Sequence, residues 1–144
     1  TFEPDPQIFS TLDFNLQTIL DHLRQQADLT AGVKITVRDQ RTKPGSSYTF
    51  YFEGGIVSYV RHLNRTKEPK HETIFGVAKD INDVHVETAF QYTEDFREQV
   101  YSFANNIFTT EGGMHLVGFR TALTRKLNDY ARKQNFLKEK ALLI

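Results

Sequence analysis

Residues 111–130 run EGGMHLVGFRTALTRKLNDY. Leu116, Phe119, Leu123, Leu127 and Tyr130 recur every three or four positions and so share one face of a helix. The pair Gly112–Gly113 stands directly before them, and glycine supplies backbone conformations that other residues resist. A glycine pair ahead of a helix has a second reading, because exposed N–H groups at a helix N-terminus attract anions. His115 starts the helix, a position suited to capping or packing, and Gly118 follows one turn later.

The cations of this helix are its other feature. Arg120, Arg125, Lys126, Arg132 and Lys133 face Asp129 alone within residues 116–134. One reading is a solvated face with Arg125 and Asp129 paired at i, i+4. The other is a basic helix turned toward DNA. No aromatic residues alternate with the cations to form a platform for single strands.

Upstream, the same kinds of signal give an α+β chain. Leu16, Ile19, Leu20, Leu23 and Ala27 have helical spacing, with Asp13 as N-cap and Gly32 as terminator. Val33, Ile35 and Val37 alternate with polar residues, as do Tyr48, Phe50 and Phe52. Residues 43–46 form the turn between them, which predicts a hairpin. Gly54 and Gly55 break the pattern, and Ile56, Tyr59, Val60 and Leu63 resume helical spacing. The polar residues 64–72 contain Pro69 and read as a loop. Residues 74–79 and 84–92 predict two strands joined by a turn at Asp80, Asn82 and Asp83. Residues 96–105 predict a third strand, with a helix over 98–104 as the alternative.

Composition excludes several classes of function. The 144 residues contain no cysteine, which removes disulfides, thiolate zinc sites and a cysteine nucleophile, and fits a reducing, cytoplasmic setting. Lys plus Arg and Asp plus Glu number 18 each, unlike a protein that coats DNA with its whole surface. No run of 18 apolar residues and no secretory leader is present, so a membrane partner is not expected. The chain starts at Thr1 rather than Met, and a missing natural start is expected. His22, His62, His71, His85 and His115 show no metal-ligand spacing. Carboxylate pairs such as Glu94–Asp95 and Asp80–Asp83 fall in predicted turns, which take Asp for conformational reasons. No P-loop and no nucleophile elbow is present. On chemistry alone, the chain carries no catalytic residues and no metal site.

Several segments, in order, resemble the DNA gyrase B family, the ATPase-bearing subunits of bacterial type IIA topoisomerases. They are Phe2-x-Pro4-Asp5-x-x-Ile8-Phe9, Glu53-Gly54-Gly55-Ile56 and His62-Leu63-Asn64. Then come Val86-Glu87-x-Ala89-x-Gln91-Tyr92 and Tyr101-x-Phe103-x-Asn105-Asn106-Ile107. Last is the block Glu111-Gly112-Gly113-x-His115-x-x-Gly118-Phe119-Arg120-x-Ala122-x-Thr124-Arg125, with Met114 where the family usually has threonine.

The resemblance implies that residues 1–53 are the end of a GHKL ATPase domain. Residues 54–144 are then a transducer domain, incomplete at its C-terminus. Its ribosomal-protein-like α/β fold would contain a left-handed βαβ crossover, against the usual hand. The parent enzyme would use ATP and Mg2+, act on double-stranded DNA, dimerise and work with a gyrase A-type cleavage subunit. The residues that hold nucleotide and metal in the family lie outside the matched segments; no Gln-Thr-Lys occurs, and Arg41-Thr42-Lys43 is elsewhere. The tail 141–144 departs from the charged loop and further strand expected there. Arg120 matches a family arginine, and Arg120 with Arg125 or Lys126 is expected to face the cavity that holds a trapped duplex. Gly54, Gly55, Gly112, Gly113, His115 and Gly118 are the structural motif residues. The alternatives are a stand-alone transducer-fold interaction or nucleic-acid-binding module, and an independent small enzyme.

Overall fold

The fold is taken from a computed structural model, which describes residues 2–136. These residues form three helices and three two-stranded antiparallel sheets, an α+β arrangement. The chain divides into two compact units, residues 1–97 and 98–144.

In the first unit, Asp5 caps a short turn by accepting from the Gln7 N–H at 2.8 Å. Helix α1 spans Leu16–Leu29. Its N-cap is Asn15, whose side chain accepts from the Thr18 N–H at 3.0 Å. Asp13 therefore lies two residues too early for the capping role expected of it, and Asn15 satisfies the orphan donor instead. Strand β1, Lys34–Asp39, pairs with β2, Ser46–Tyr51, in the register Lys34↔Tyr51 through Asp39↔Ser46. Ile35 and Val37 are half-buried while Lys34, Thr36 and Arg38 are exposed, the period-two pattern of a strand with one covered face. Both strands pack on α1.

Helix α2, Ile56–Leu63, follows Gly55, whose φ of +52° is left-handed. It packs on α1 and on the hairpin of β3, Phe75–Ile81, and β4, Val84–Phe90. The approach to β3 is close: a Cβ at Gly76 would lie 2.7 Å from Val57 Cγ2. The β3–β4 turn consists of Asn82 and Asp83, with φ of +48° and +62°. Two consecutive positive φ values match the twist of a tight hairpin, and Asn and Asp tolerate them. Asp80, expected in that turn, instead lies within the β3 ladder opposite His85, one pair before the closing pair Ile81↔Val84. The loop after α2 is tied to the segment after β4. Lys67 pairs with Asp95 at 3.5 Å, Lys70 pairs with Glu94, and Gln91 Nε2 donates to the His71 carbonyl at 2.8 Å.

In the second unit the expected strand over 96–105 shrinks to two residues. Strand β5, Phe103–Ala104, pairs with β6, Ile107–Phe108, around Asn105 and Asn106, whose φ values are +48° and +64°. Residues 96–102 have strand-like composition but no ladder partner among the described residues, and the helix alternative over 98–104 does not form either. Backbone groups need a partner strand to make a sheet, and composition does not supply one. Helix α3 is Met114–Lys133, 20 residues. All ladders among the described residues are antiparallel. The strand expected after α3 and the tail 141–144 lie outside the described residues.

Candidate functional site

The start of α3 is built from Gly112 and Gly113. Their φ values are +85° and +97°, and Gly113 adds a ψ of 172°, a combination reserved almost entirely for glycine. The turn is locked from below by Ser102, one of the few buried polar residues. Its hydroxyl donates to the Gly112 carbonyl at 3.2 Å, and the Thr109 hydroxyl donates to the Ser102 carbonyl at 3.0 Å. The His115 ring lies back over the turn, so that a Cβ on Gly113 would sit 3.1 Å from its Cε1. No side chain caps α3. Gly118 has open space at its Cβ position, so no close approach explains it.

Arg120, Arg125 and Lys126 are all exposed. At about 100° per residue, Arg125 and Lys126 lie roughly 140° and 120° from Arg120, to opposite sides. The three cations are therefore spread around α3 and do not form one stripe. Arg120 and Lys126 flank the row Leu116, Phe119, Leu123, Leu127 and Tyr130, and Arg125 lies behind it. Among the described residues, no ion pair joins Arg125 to Asp129. Arg120 instead donates from Nη2 to Glu98 Oε2 at 3.0 Å, an exposed pair that the sequence reading missed. Glu98 comes from the irregular segment before β5, 22 residues away, and no local spacing marks it.

A second polar cluster joins α1 to α2 in the first unit. Asp28 is fully buried, and neither of its carboxylate oxygens accepts a hydrogen bond among the described residues. Arg24 Nε lies 3.8 Å away, close enough for attraction and too far for a hydrogen bond. Burial pushes the Asp28 carboxyl up to about 6, against the weaker opposing pull of Arg24. Arg24 donates from Nη2 to His62 Nδ1 at 3.1 Å and lies over the Phe52 ring at 5.2 Å. Burial first, then the charges of Arg24 and Arg65, hold the His62 imidazole below its usual range. Gln25 Nε2 donates to the Tyr59 hydroxyl at 3.1 Å across the same contact.

Gly54 and Gly55 line a shallow cleft of about 230 Å³ with Glu53, Ile56, Val77 and Glu87. Two other histidines have structural partners: His71 accepts the Tyr92 N–H at 3.0 Å, and His85 bridges Asp80 and Glu87 at 2.6 and 3.0 Å. Those two carboxylates hold His85 above its usual range. No group of three or more His, Asp or Glu among the described residues is placed to hold a metal ion. No helix among them is long and apolar enough to cross a membrane.

A family model described as DNA gyrase B matches residues 55–143, which takes in α2, the β3–β4 hairpin and all of α3. The chain belongs to the DNA gyrase B family. Among its relatives, the gyrase B protein of Bacillus mycoides is 46% identical over 96% of this chain and 34% of the relative. That of Halalkalibacterium halodurans is 48% identical over 96% of this chain and 22% of the relative. In three dimensions, the chain resembles the 43K ATPase domain of Thermus thermophilus gyrase B, solved with an aminocoumarin. The TM-score is 0.81 at 35% identity, covering 96% of this chain and 37% of the other. Gyrase B from Myxococcus xanthus gives a TM-score of 0.77 at 25% identity, covering 83% and 34%. This gyrase B family chain thus spans about a third or less of the relatives it matches.

Proposed function

We propose that the chain is the coupling segment of the ATPase-bearing subunit of a type II DNA topoisomerase of the gyrase kind. It would contribute to an isomerase that uses ATP and Mg2+ to pass one duplex through another in the cytoplasm. The partners in this reading are double-stranded DNA, a cleavage subunit of the gyrase A type and a second copy of the ATPase-bearing subunit. The observation that carries it is the family match over residues 55–143, joined to an α3 that leaves Arg120, Arg125 and Lys126 exposed.

Residues 1–53 are read as the end of the GHKL ATPase domain and residues 54–144 as most of the transducer. The family match beginning at residue 55 supports that seam. α1 and α2 nevertheless pack within one compact unit, so the seam is not a gap in packing. The polar contacts of Arg24 with His62 and of Gln25 with Tyr59 would carry movement of one part into the other. Such a link suits rigid-body motion driven by ligand contacts.

In this reading the residues that hold ATP and Mg2+ lie in other parts of the protein. This segment's own contribution is cationic: Arg120, with Arg125 or Lys126 to one side, would meet phosphates of the trapped duplex.

In the complete enzyme, Arg120→Gln is expected to raise the duplex concentration for half-maximal stimulation of ATP turnover about ten-fold, the worth of one charge-assisted contact. Supercoiling should fall with it. Unchanged DNA stimulation together with unchanged supercoiling would overturn the reading.

A further inference from the structure

The Arg120–Glu98 pair has the form of an occupied phosphate site. Arg120 is tied by a single hydrogen bond of 3.0 Å, from Nη2 to Oε2, rather than by a two-pronged fork. The two side chains are 52% and 65% exposed. Exposed pairs of this kind are weak and exchange readily with other anions. A carboxylate and a phosphate offer the guanidinium the same chemistry, a pair of anionic oxygens in reach of planar N–H donors.

Among the described residues, Arg125 and Lys126 form no ion pair, and Arg120 is the cation of the three that already holds an anion. Glu98 also belongs to the irregular segment before β5, outside any ladder, so no sheet hydrogen bond of its own has to break when it lets go.

We propose that Glu98 is a built-in competitor of DNA: it occupies Arg120 until a duplex phosphate replaces it, and so sets how much DNA is needed to engage the helix. The proposal rests on the reading of Arg120 as a DNA contact and makes Glu98 a positioning residue for that contact. Two consequences follow. Glu98 holds the guanidinium in place when DNA is absent, and it lowers apparent affinity by the cost of the exchange.

The test uses the complete enzyme and a short duplex, with ATP turnover followed against duplex concentration. Four variants are compared: Arg120→Gln, Glu98→Gln, the double variant, and Glu111→Gln as a control for loss of a negative charge elsewhere in the same unit. Glu98→Gln is expected to lower the half-stimulating concentration about two- to five-fold, in keeping with an exposed ion pair, with the maximal stimulated rate unchanged. In the Arg120→Gln background the same change is expected to have no effect beyond that of Glu111→Gln, because its partner is gone.

A shift of equal size in both backgrounds, or no shift where Arg120 is intact, would overturn the competitor role. A loss of maximal rate in Glu98→Gln would do so as well, since it would mean a structural role. If Arg120→Gln itself leaves the half-stimulating concentration unchanged, the DNA contact fails and the competitor role falls with it, a result distinguishable from failure at Glu98 alone, in which Arg120→Gln still weakens stimulation.

Discussion

Replacing Asp28 by asparagine is expected to make the first unit increasingly more stable than the original chain as pH rises from 4 to 7. The reason is the buried carboxyl, which accepts no hydrogen bond among the described residues. Its folded value of about 6 stands above the ordinary 3.8, so the folded state holds the Asp28 proton where the unfolded chain has already released it. A raised carboxylate of this kind contributes stability below pH 3.8 and loses it as pH climbs through about 6. The full swing is on the order of 3 kcal/mol, taking about 1.4 kcal/mol for each unit. Asparagine has no charge to bury, so the variant escapes that loss. It retains a buried amide, and Arg24 loses its attraction, so the size of the gain at any one pH is smaller than the swing.

The informative quantity is the difference between variant and original across the pH range. His62, held low and beside Arg24, titrates in both proteins and cancels from it to first order. Urea unfolding at pH 4, 5, 6 and 7 reads this difference directly. A difference that stays flat across that range would mean Asp28 is paired or solvated, contrary to its complete burial.

Gly113→Ala is the second large expected effect. With φ of +97° and ψ of 172°, alanine must either adopt a backbone region that its Cβ disfavours or reset the turn. That strain costs about 2 kcal/mol, and the new Cβ would press on the His115 ring at 3.1 Å. The damage is local, because Gly113 supplies the carbonyl that accepts from the Leu116 and Val117 N–H groups at 3.2 and 3.3 Å. Hydrogen exchange should show those two amides losing protection by roughly 30-fold. Protection unchanged at Leu116 and Val117 would show that the turn tolerates a side chain.

Much of the architecture was legible in the sequence because it depends on local patterns. The rows Leu16 to Ala27 and Leu116 to Tyr130 mark α1 and α3, alternation marks the β1–β2 hairpin, and the turn residues Asn82 and Asp83 mark the β3–β4 hairpin. The errors have physical causes. Asp13 and Asn15 are both good caps, and only the geometry of the first turn chooses between them. Residues 96–105 look like a strand by composition, yet sheet formation requires a partner that the local sequence does not contain.

The site was less legible. The number of cations on α3 is plain, and their spacing of five and six residues already says that they surround the helix. Glu98 could not be found that way, since its link to Arg120 comes from an irregular segment 22 residues away. Asp28 reads as an ordinary polar residue on α1. Its burial comes from tertiary packing, since α1 is covered by α2, β1 and β2, none of which is local to residue 28 in the helix pattern.

In the proposed reading, α3 of this segment faces trapped duplex DNA. A photoreactive residue at Thr124, one turn beyond Arg120 and exposed, keeps Arg120 intact while probing its surroundings. In the complete enzyme closed by a non-hydrolysable ATP analogue, illumination is expected to cross-link position 124 to duplex DNA, and omission of the analogue is expected to reduce the yield. A closed enzyme that holds duplex DNA yet gives no cross-link from position 124 would contradict the claim.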